Sequence, residues 1–125
     1  LKFDEGRKAL NDTVHPFVFE RFKQWSDEQK SPYVIKEAAI LFESGADKTV
    51  NKSILVTAPM DIRIDRVKSR DARTSEEIQS IITSQWTDSR LMEVVDFIVV
   101  NDGKHSLIEQ VRALHAKLIH QATHF

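Results

Sequence analysis

Three short apolar runs, each about the length of a buried strand, set the architecture that we predict. They are residues 38–42 (AAILF), which end a strand predicted over Tyr33–Phe42, residues 53–57 (SILVT) and residues 97–100 (FIVV). Continuous apolar runs are typical of strands that are buried on both faces of a parallel sheet. Because helical periodicity separates the runs, we predict an α/β fold with a parallel sheet. Ligands bind beyond the carboxyl ends of such strands, so we expect Glu43, Ala58-Pro59 and Asn101 to gather there.

A helix is predicted directly after the middle strand, over Met60–Arg70. Pro59 suits the first helical position, because proline lacks the N–H group that would have no partner there. Met60, Ile64 and Val67 recur at helical spacing and form an apolar stripe that should face the core. The sequence therefore predicts a strand, a tight turn and an amphipathic helix in succession.

Arginines fall beside this apolar stripe, within about 80° of one another on the helical wheel. The neighbouring Asp61, Asp65 and Asp71 are expected to project elsewhere. Adjacent like charges repel by roughly 0.2–0.5 kcal/mol per pair, and a phosphate ligand, which matches the planar guanidinium, would remove that cost. A solvated basic face explains the same pattern, so both interpretations stay open. The arginines are Arg63, Arg66, Arg70 and, if the helix extends that far, Arg73.

Further helices are predicted from capping residues and apolar periodicity. Ser75, followed by Glu76-Glu77, is expected to cap the helix that continues to Gln85. The Asn11-Asp12-Thr13 segment offers caps for a helix that reaches about Gln29, which Ser31-Pro32 then ends. The remaining helices are expected over residues 1–10, 90–94 and 106–120.

Composition narrows the classes of function. The 125 residues are 41% hydrophobic and 30% charged, which is typical of one globular domain. The formal net charge of −1 gives no support for a nucleic-acid partner. The sequence has no cysteine for a disulfide or a thiolate metal site. Because it also shows no signal peptide and no apolar run of about 20 residues, we predict a cytoplasmic protein without a membrane partner.

Two common types of ligand site find no support in the sequence. The phosphate-binding pattern G-x-x-x-x-G-K-[ST] has no match, because Gly6, Gly45 and Gly103 are the only glycines. His120 and His124 have a spacing that could share a metal ion on a helix. They stand near a chain end without a nearby carboxylate, so we predict surface residues and no metal site.

Taken in order, segments along nearly the whole chain resemble the C-terminal two thirds of the dephospho-CoA kinase family. Leu10-Asn11 to His15-Pro16 is similar to the family segment L-N-x-x-x-H-P. Ile40–Glu43 is similar to the P-L-L-[FV]-E motif, with Ala39 in place of the proline. The chain from Ile54 to Asp71 and on to Gln85 resembles the next strand and the R-x-x-x-R-D lid. Val95–Gly103 resembles A-D-x-[VI]-[IV]-x-N-x-G, with Val95 in place of the first alanine.

The resemblance implies an incomplete P-loop nucleotide-kinase-like fold, a parallel sheet with flanking helices and a helical lid. Its parts would be a helical acceptor-binding region (1–31), the sheet core (32–60 and 95–125) and the lid (61–94). The family's P-loop strand, which would precede Leu1, lies between the strands that match Tyr33–Phe42 and Ser53–Thr57. We therefore expect unpaired strand edges, so that the chain self-associates, closes the gap or loses strand order.

The resemblance also implies an activity, which is transfer of the γ-phosphoryl group of ATP to the 3′-hydroxyl of dephospho-CoA, with Mg²⁺, in coenzyme A biosynthesis. It places no catalytic residue in this chain, so we expect the chain alone to be inactive. Arg66, Arg70 and Arg73 would bind the phosphates of ATP, and Asn101 would lie near its adenine or ribose. The acceptor site would be lined by His15, Leu41, Phe42 and Glu43, while Gln85 matches the lid without an assigned role. The alternatives are a non-catalytic module that binds a nucleotide or phosphate, and an interaction domain.

Overall fold

A computed structural model describes residues 16–123, and these residues form an α/β arrangement. His15, the caps predicted at Asn11-Asp12-Thr13 and the helix predicted over residues 1–10 lie outside the described residues. The elements are helix α1, which includes residues 16–28, a 3₁₀ turn at Ala46–Thr49, strand β1 (Ile54–Thr57), helices α2 (Met60–Asp71), α3 (Ser75–Thr83) and α4 (Asp88–Met92), strand β2 (Phe97–Val100) and helix α5 (Leu107–Thr123).

Strands β1 and β2 pair in parallel, as the apolar runs predicted, and form a two-stranded sheet. Ile54 lies opposite Phe97, and Thr57 lies opposite Val100. Asp96 joins the amino ends, because its carboxylate accepts hydrogen bonds from the Ser53 backbone N–H at 2.8 Å and the Ser53 hydroxyl at 3.2 Å. Helix α4 packs against β1 and α5 packs against β2.

The strand predicted over Tyr33–Phe42 is wrong. Residues 33–38 have no regular structure, and residues 39–45 form turns in which the Ser44 N–H donates to the Ile40 carbonyl at 3.1 Å. An apolar run becomes a strand only where a neighbouring strand satisfies its backbone N–H and C=O groups. In the described part of the chain no strand pairs with this segment. Loss of strand order is therefore the one of our three expected outcomes that the segment shows.

The apolar core of residues 16–123 is small. Ile78 of α3 and Val99 of β2 are its buried hydrophobic side chains, at 3% and 6% exposure. The expectation that the strands are buried on both faces is wrong, because Val56 is 61% exposed and Ile98 is 45% exposed. Met60, predicted to face the core, is exposed as well. Two paired strands, with α4 packed against β1 and α5 packed against β2, do not have the complete helical layers on both faces that a doubly buried sheet needs.

Local signals set most helix ends. Pro59 is the N-cap of α2 instead of its first residue, and Ala72 ends the helix in a left-handed conformation, with its N–H bonded to the Lys68 carbonyl. Thr74 caps α3 through a hydrogen bond from the Glu77 N–H, one position before the predicted cap at Ser75. Helix α4 begins at Asp88, earlier than predicted, because Thr87 accepts a hydrogen bond from the Arg90 N–H.

Candidate functional site

The carboxyl ends of β1 and β2 lie side by side, and helix α2 begins at Met60, shortly after β1 ends. The Asn101 N–H donates to the Thr57 carbonyl at 2.7 Å, so the residues that follow the two strands stay in contact. From α2, the Arg66 Nη1 group donates to the Asn101 carbonyl at 2.7 Å. The structure thus brings the 58–59 turn, Arg66 and Asn101 together at the edge where parallel sheets bind their ligands.

The guanidinium group of Arg63 binds other residues of the described structure. Its Nη2 group pairs with the Asp88 carboxylate and donates to the Thr57 hydroxyl at 3.1 Å. Its Nε group donates to the Ala58 carbonyl at 2.8 Å. The predicted row of four available guanidinium groups is therefore wrong, because Arg63 is already committed to a carboxylate and to the end of β1.

Arg70 also has a carboxylate partner, which corrects the prediction for Asp71. Its Nε and Nη2 groups donate to the two oxygens of Asp71 at 2.7 and 2.8 Å. The hydrogen bond to Asp71 raises the pKa of the Arg70 guanidinium, and the same bond lowers the pKa of the Asp71 carboxyl. The helical wheel fixes only the direction in which a side chain leaves the helix, and a long guanidinium side chain bends to reach a neighbouring acid.

Arg66 and Arg70 line one open surface groove of about 430 Å³, together with Asp65 and Ser69. Asp65 therefore lies beside the arginines, although we expected its side chain to project elsewhere. Arg73 follows the end of α2 and is exposed, and its charge contributes to the low pKa of Asp71. Of the predicted phosphate-binding residues, Arg66 contacts Asn101 and lines the groove with Arg70.

The loop after β2 is organised by Asp102, which the sequence analysis treated only as part of a turn. Its carboxylate accepts hydrogen bonds from the Lys104 and His105 backbone N–H groups, both at 2.9 Å, and contacts His105 Nδ1 at 2.7 Å. The two backbone bonds, that from His105 first, hold the pKa of Asp102 well below its usual range. A carboxylate bonded in this way fixes the loop that begins at Asn101.

The predicted acceptor residues Leu41, Phe42 and Glu43 are half-buried in the 39–45 turns. The Phe42 ring stacks on Trp86 with centroids 5.9 Å apart and an interplanar angle of 23°. The Arg90 Cζ atom lies 3.4 Å from the centroid of the Trp86 ring. Trp86 and Arg90 were missed, because no sequence spacing reveals a contact between distant segments.

The 39–45 turns do not join the Arg66–Asn101 contact. Phe42 lines a depression of about 150 Å³ with Lys52, Ser53 and Asp96, which flank the amino ends of the strands. The expectation that Glu43 gathers at the carboxyl ends stays a prediction, because these contacts of Phe42 do not fix the position of the Glu43 side chain. Without a strand over residues 33–42, nothing aligns the end of this segment with the ends of β1 and β2.

Residues 16–123 contain neither a membrane-spanning helix nor a cluster of metal ligands. No helix there is both long and apolar enough to cross a membrane. The same residues contain no group of three or more His, Asp or Glu side chains arranged to hold a metal ion. His120 lies on α5, and His124 lies outside the described range.

Known proteins resemble this chain over most of its length. The family model described as CoaE, dephospho-CoA kinase, matches residues 2–106. The dephospho-CoA kinase of Bacteroides fragilis strain YCH46 is 37% identical over 117 residues, which are 93% of this chain and 57% of that protein. The dephospho-CoA kinase of Chlorobium chlorochromatii is 35% identical over 118 residues, 91% of this chain and 56% of that protein.

Among solved structures, TT1252 from Thermus thermophilus superposes with a TM-score of 0.82 and 28% identity, over 92% of this chain and 61% of that one. The chain thus spans a little over half the length of the relatives that it matches. The family resemblance and the α/β fold that the sequence predicted are both confirmed. Because the family model covers most of the sequence, this chain belongs to the dephospho-CoA kinase family.

Proposed function

We propose that this chain is part of an enzyme that transfers the γ-phosphoryl group of ATP to the 3′-hydroxyl of dephospho-CoA in coenzyme A biosynthesis, and that the chain alone is inactive. The observation that carries this proposal is the family match over residues 2–106, in which α2 and Asn101 fall. Phosphoryl transfer depends mainly on positioning and on stabilising charge. The 125 residues supply arginines for that purpose but no glycine loop to cradle the phosphates.

Arg66 and Arg70 are the arginines best suited to bind phosphate in this proposal. The partner of Arg66 is a neutral backbone carbonyl, so its positive charge has no acid bonded to it. Arg70 is 73% exposed, and an ion pair that exposed is weak enough for an anion to replace Asp71. We include Arg73 as a third candidate and place Asn101 near the adenine or ribose.

The other parts of the proposal rest on the family resemblance. His15 and the Leu41-Phe42-Glu43 segment would line the acceptor site. Residues 1–31 would form the acceptor-binding region, residues 32–60 and 95–125 the sheet core, and residues 61–94 the lid. Mg²⁺ would neutralise phosphate charge when it is bound. We assign no residue to Mg²⁺, because the described residues include no cluster of ligands for a metal.

The proposal includes a cytoplasmic location and self-association through the unpaired edge of β1. Cell fractionation tests the location. Self-association is supported by the two-stranded sheet, in which the described residues leave one edge of β1 without a partner strand.

A chimera tests the proposed activity. This chain replaces the matched segment of the Bacteroides fragilis enzyme, and CoA formation from ATP and dephospho-CoA is measured for the chimera and for the chain alone. We expect activity only in the chimera. Arg66→Gln should then reduce kcat by about 10²–10³-fold, as loss of one charge-stabilising donor does.

Lys68→Gln is the matched control, because Lys68 is an exposed cation on the same helix and does not line the groove. A folded but inactive chimera would contradict the proposal, and so would CoA formation by the chain alone. Calorimetry of the chain with ATP should show weak or no binding. Micromolar affinity without phosphoryl transfer would instead support the alternative of a non-catalytic nucleotide-binding module.

A further inference from the structure

Helices α2 and α3 form an arm, residues 60–83, that connects strand β1 to helix α4. The two helices pack against each other, and Ile78 of α3 is buried. The arm begins after the Ala58-Pro59 turn that follows β1. It ends shortly before Asp88, the first residue of α4. Arg63, in the first turns of α2, therefore lies close to both ends of the arm.

We propose that Arg63 and Asp88 form the contact that holds the base of this arm, and that Arg63 is a positioning residue for Arg66. Arg63 joins α2 to the first residue of α4 through its ion pair with Asp88. It joins α2 to the end of β1 through the Thr57 hydroxyl and the Ala58 carbonyl. The Thr57 hydroxyl also donates to Asp88, so three elements meet at one carboxylate.

The surroundings of this pair suit a positioning role. The side chains of Arg63 and Asp88 are 31% and 25% exposed, whereas Arg70 is 73% exposed. Partly buried charges are less screened by salt, and removal of one leaves the other without its partner. Arg63 also uses both its Nε and Nη2 groups, so the guanidinium fork is fixed in direction as well as in place.

The position of Arg66 follows from this anchor. Arg66 stands one helical turn after Arg63 and bonds the Asn101 carbonyl at the end of β2, while Arg63 bonds the end of β1. Helix α2 is thus attached to the carboxyl ends of both strands by successive turns. A tilt of α2 would break the 2.7 Å bond from Arg66, and displacements of about 1 Å are enough to impair a reacting geometry.

The phosphate-binding role of Arg66 rests on the proposed function, whereas the position of the arm does not. The chain has no cysteine, so two introduced thiols can be spin-labelled without side reactions. Ser80→Cys on α3 and Arg112→Cys on α5 are exposed sites, one on the arm and one on the helix that packs against β2. Pulsed electron paramagnetic resonance then measures the distance between the arm and the sheet layer.

We expect Asp88→Asn and Arg63→Gln each to broaden this distance distribution about twofold while helical content is retained, because the arm loses its anchor. Asp88→Glu keeps the charge and should keep the distribution narrow. Arg70→Gln removes an arginine of the same helix from an exposed pair and is the matched control, with no expected change.

An unchanged width in folded Asp88→Asn and Arg63→Gln would overturn the proposal, as would equal broadening in Asp88→Glu. Loss of helical content in all three pair variants would overturn it too, because the pair would then support the whole fold instead of the arm. No nucleotide is present in this measurement. An inactive chimera would therefore count against the proposed function and leave the result on the arm standing.

Discussion

Arg63, Arg66 and Arg70 share one helix, yet each has a different kind of partner. Arg63 bonds a carboxylate on another helix, Arg66 bonds a backbone carbonyl on a loop, and Arg70 bonds the acid next to it in sequence. An arginine side chain is long enough to reach acceptors in several directions. The partner within reach therefore decides the role, and only Arg66 among these three keeps a charge that no bonded acid neutralises.

Asp102 gives a prediction of pH dependence at this scale. Its pKa is lowered, so the stability that its bonds contribute is present above the unfolded pKa of about 4 and is lost only as pH falls through the lower folded value. In NMR spectra the amide shifts of Lys104 and His105 should therefore show no titration step with a midpoint near the ordinary carboxyl value of about 4, because the Asp102 carboxylate stays ionised there.

Asp102→Asn is the control, because the amide keeps an acceptor oxygen but does not titrate. It should remove the shift of the Lys104 and His105 amides that accompanies protonation of Asp102 at lower pH. A change in these shifts with a midpoint near the ordinary carboxyl value would contradict the hydrogen-bonded loop seen in the structure.

Helix α3 shows what one residue does for an element. Thr74, and not Ser75, supplies the oxygen that accepts the Glu77 N–H at 3.2 Å. Thr74→Ala should reduce the free energy of unfolding by about 1 kcal/mol, measured by urea denaturation, because an N-terminal N–H of the helix loses its acceptor. Ser75→Ala is the matched control and should have little effect. A larger loss of stability in Ser75→Ala than in Thr74→Ala would instead show that Ser75 is the cap, as the sequence predicted.

The Phe42–Trp86 stack links the 39–45 turns to the segment before α4, and fluorescence can detect it. Trp25→Phe leaves Trp86 as the sole tryptophan. In that background, Phe42→Leu should shift the Trp86 emission to longer wavelength, because loss of the stacked ring exposes the indole to water.

A conservative change elsewhere serves as the control for this measurement. Phe17→Leu replaces an exposed phenylalanine of α1 and should leave the Trp86 emission unchanged. Identical spectra for Trp25→Phe with and without Phe42→Leu would show that the two rings are not stacked in solution.

Many apolar side chains are exposed at the surface of residues 16–123. Within residues 16–123 the sheet has two strands, and Val56 of β1 is 61% exposed. An unpaired strand edge with apolar side chains favours association with another chain. We therefore expect sedimentation velocity to show species larger than a monomer as concentration rises.

Val56→Lys should reduce this association, because a lysine on an edge strand opposes pairing with a second strand. Val18→Lys is the matched control, since Val18 is a half-exposed valine on helix α1 and not on a strand. A single monomeric species at all concentrations, or equal loss of association in both variants, would argue against association through β1.

Local chemistry in the sequence determined the elements from Ile54 onwards and the family to which they belong. Apolar runs predicted β1 and β2, Pro59 and the apolar stripe predicted α2, and polar caps predicted the start of α3 to within one residue. These signals are readable because a cap or a helical period acts between residues close in the chain.

Tertiary structure alone decided the conformation of Tyr33–Phe42, the partners of Arg63 and Arg66, and the Phe42–Trp86 stack. A strand needs hydrogen bonds from a neighbouring strand, and no described strand offers them to that segment. The Arg63–Asp88 pair and the ring stack join residues that are far apart in sequence. Such contacts depend on where the folded chain brings each element, so no local pattern contains them.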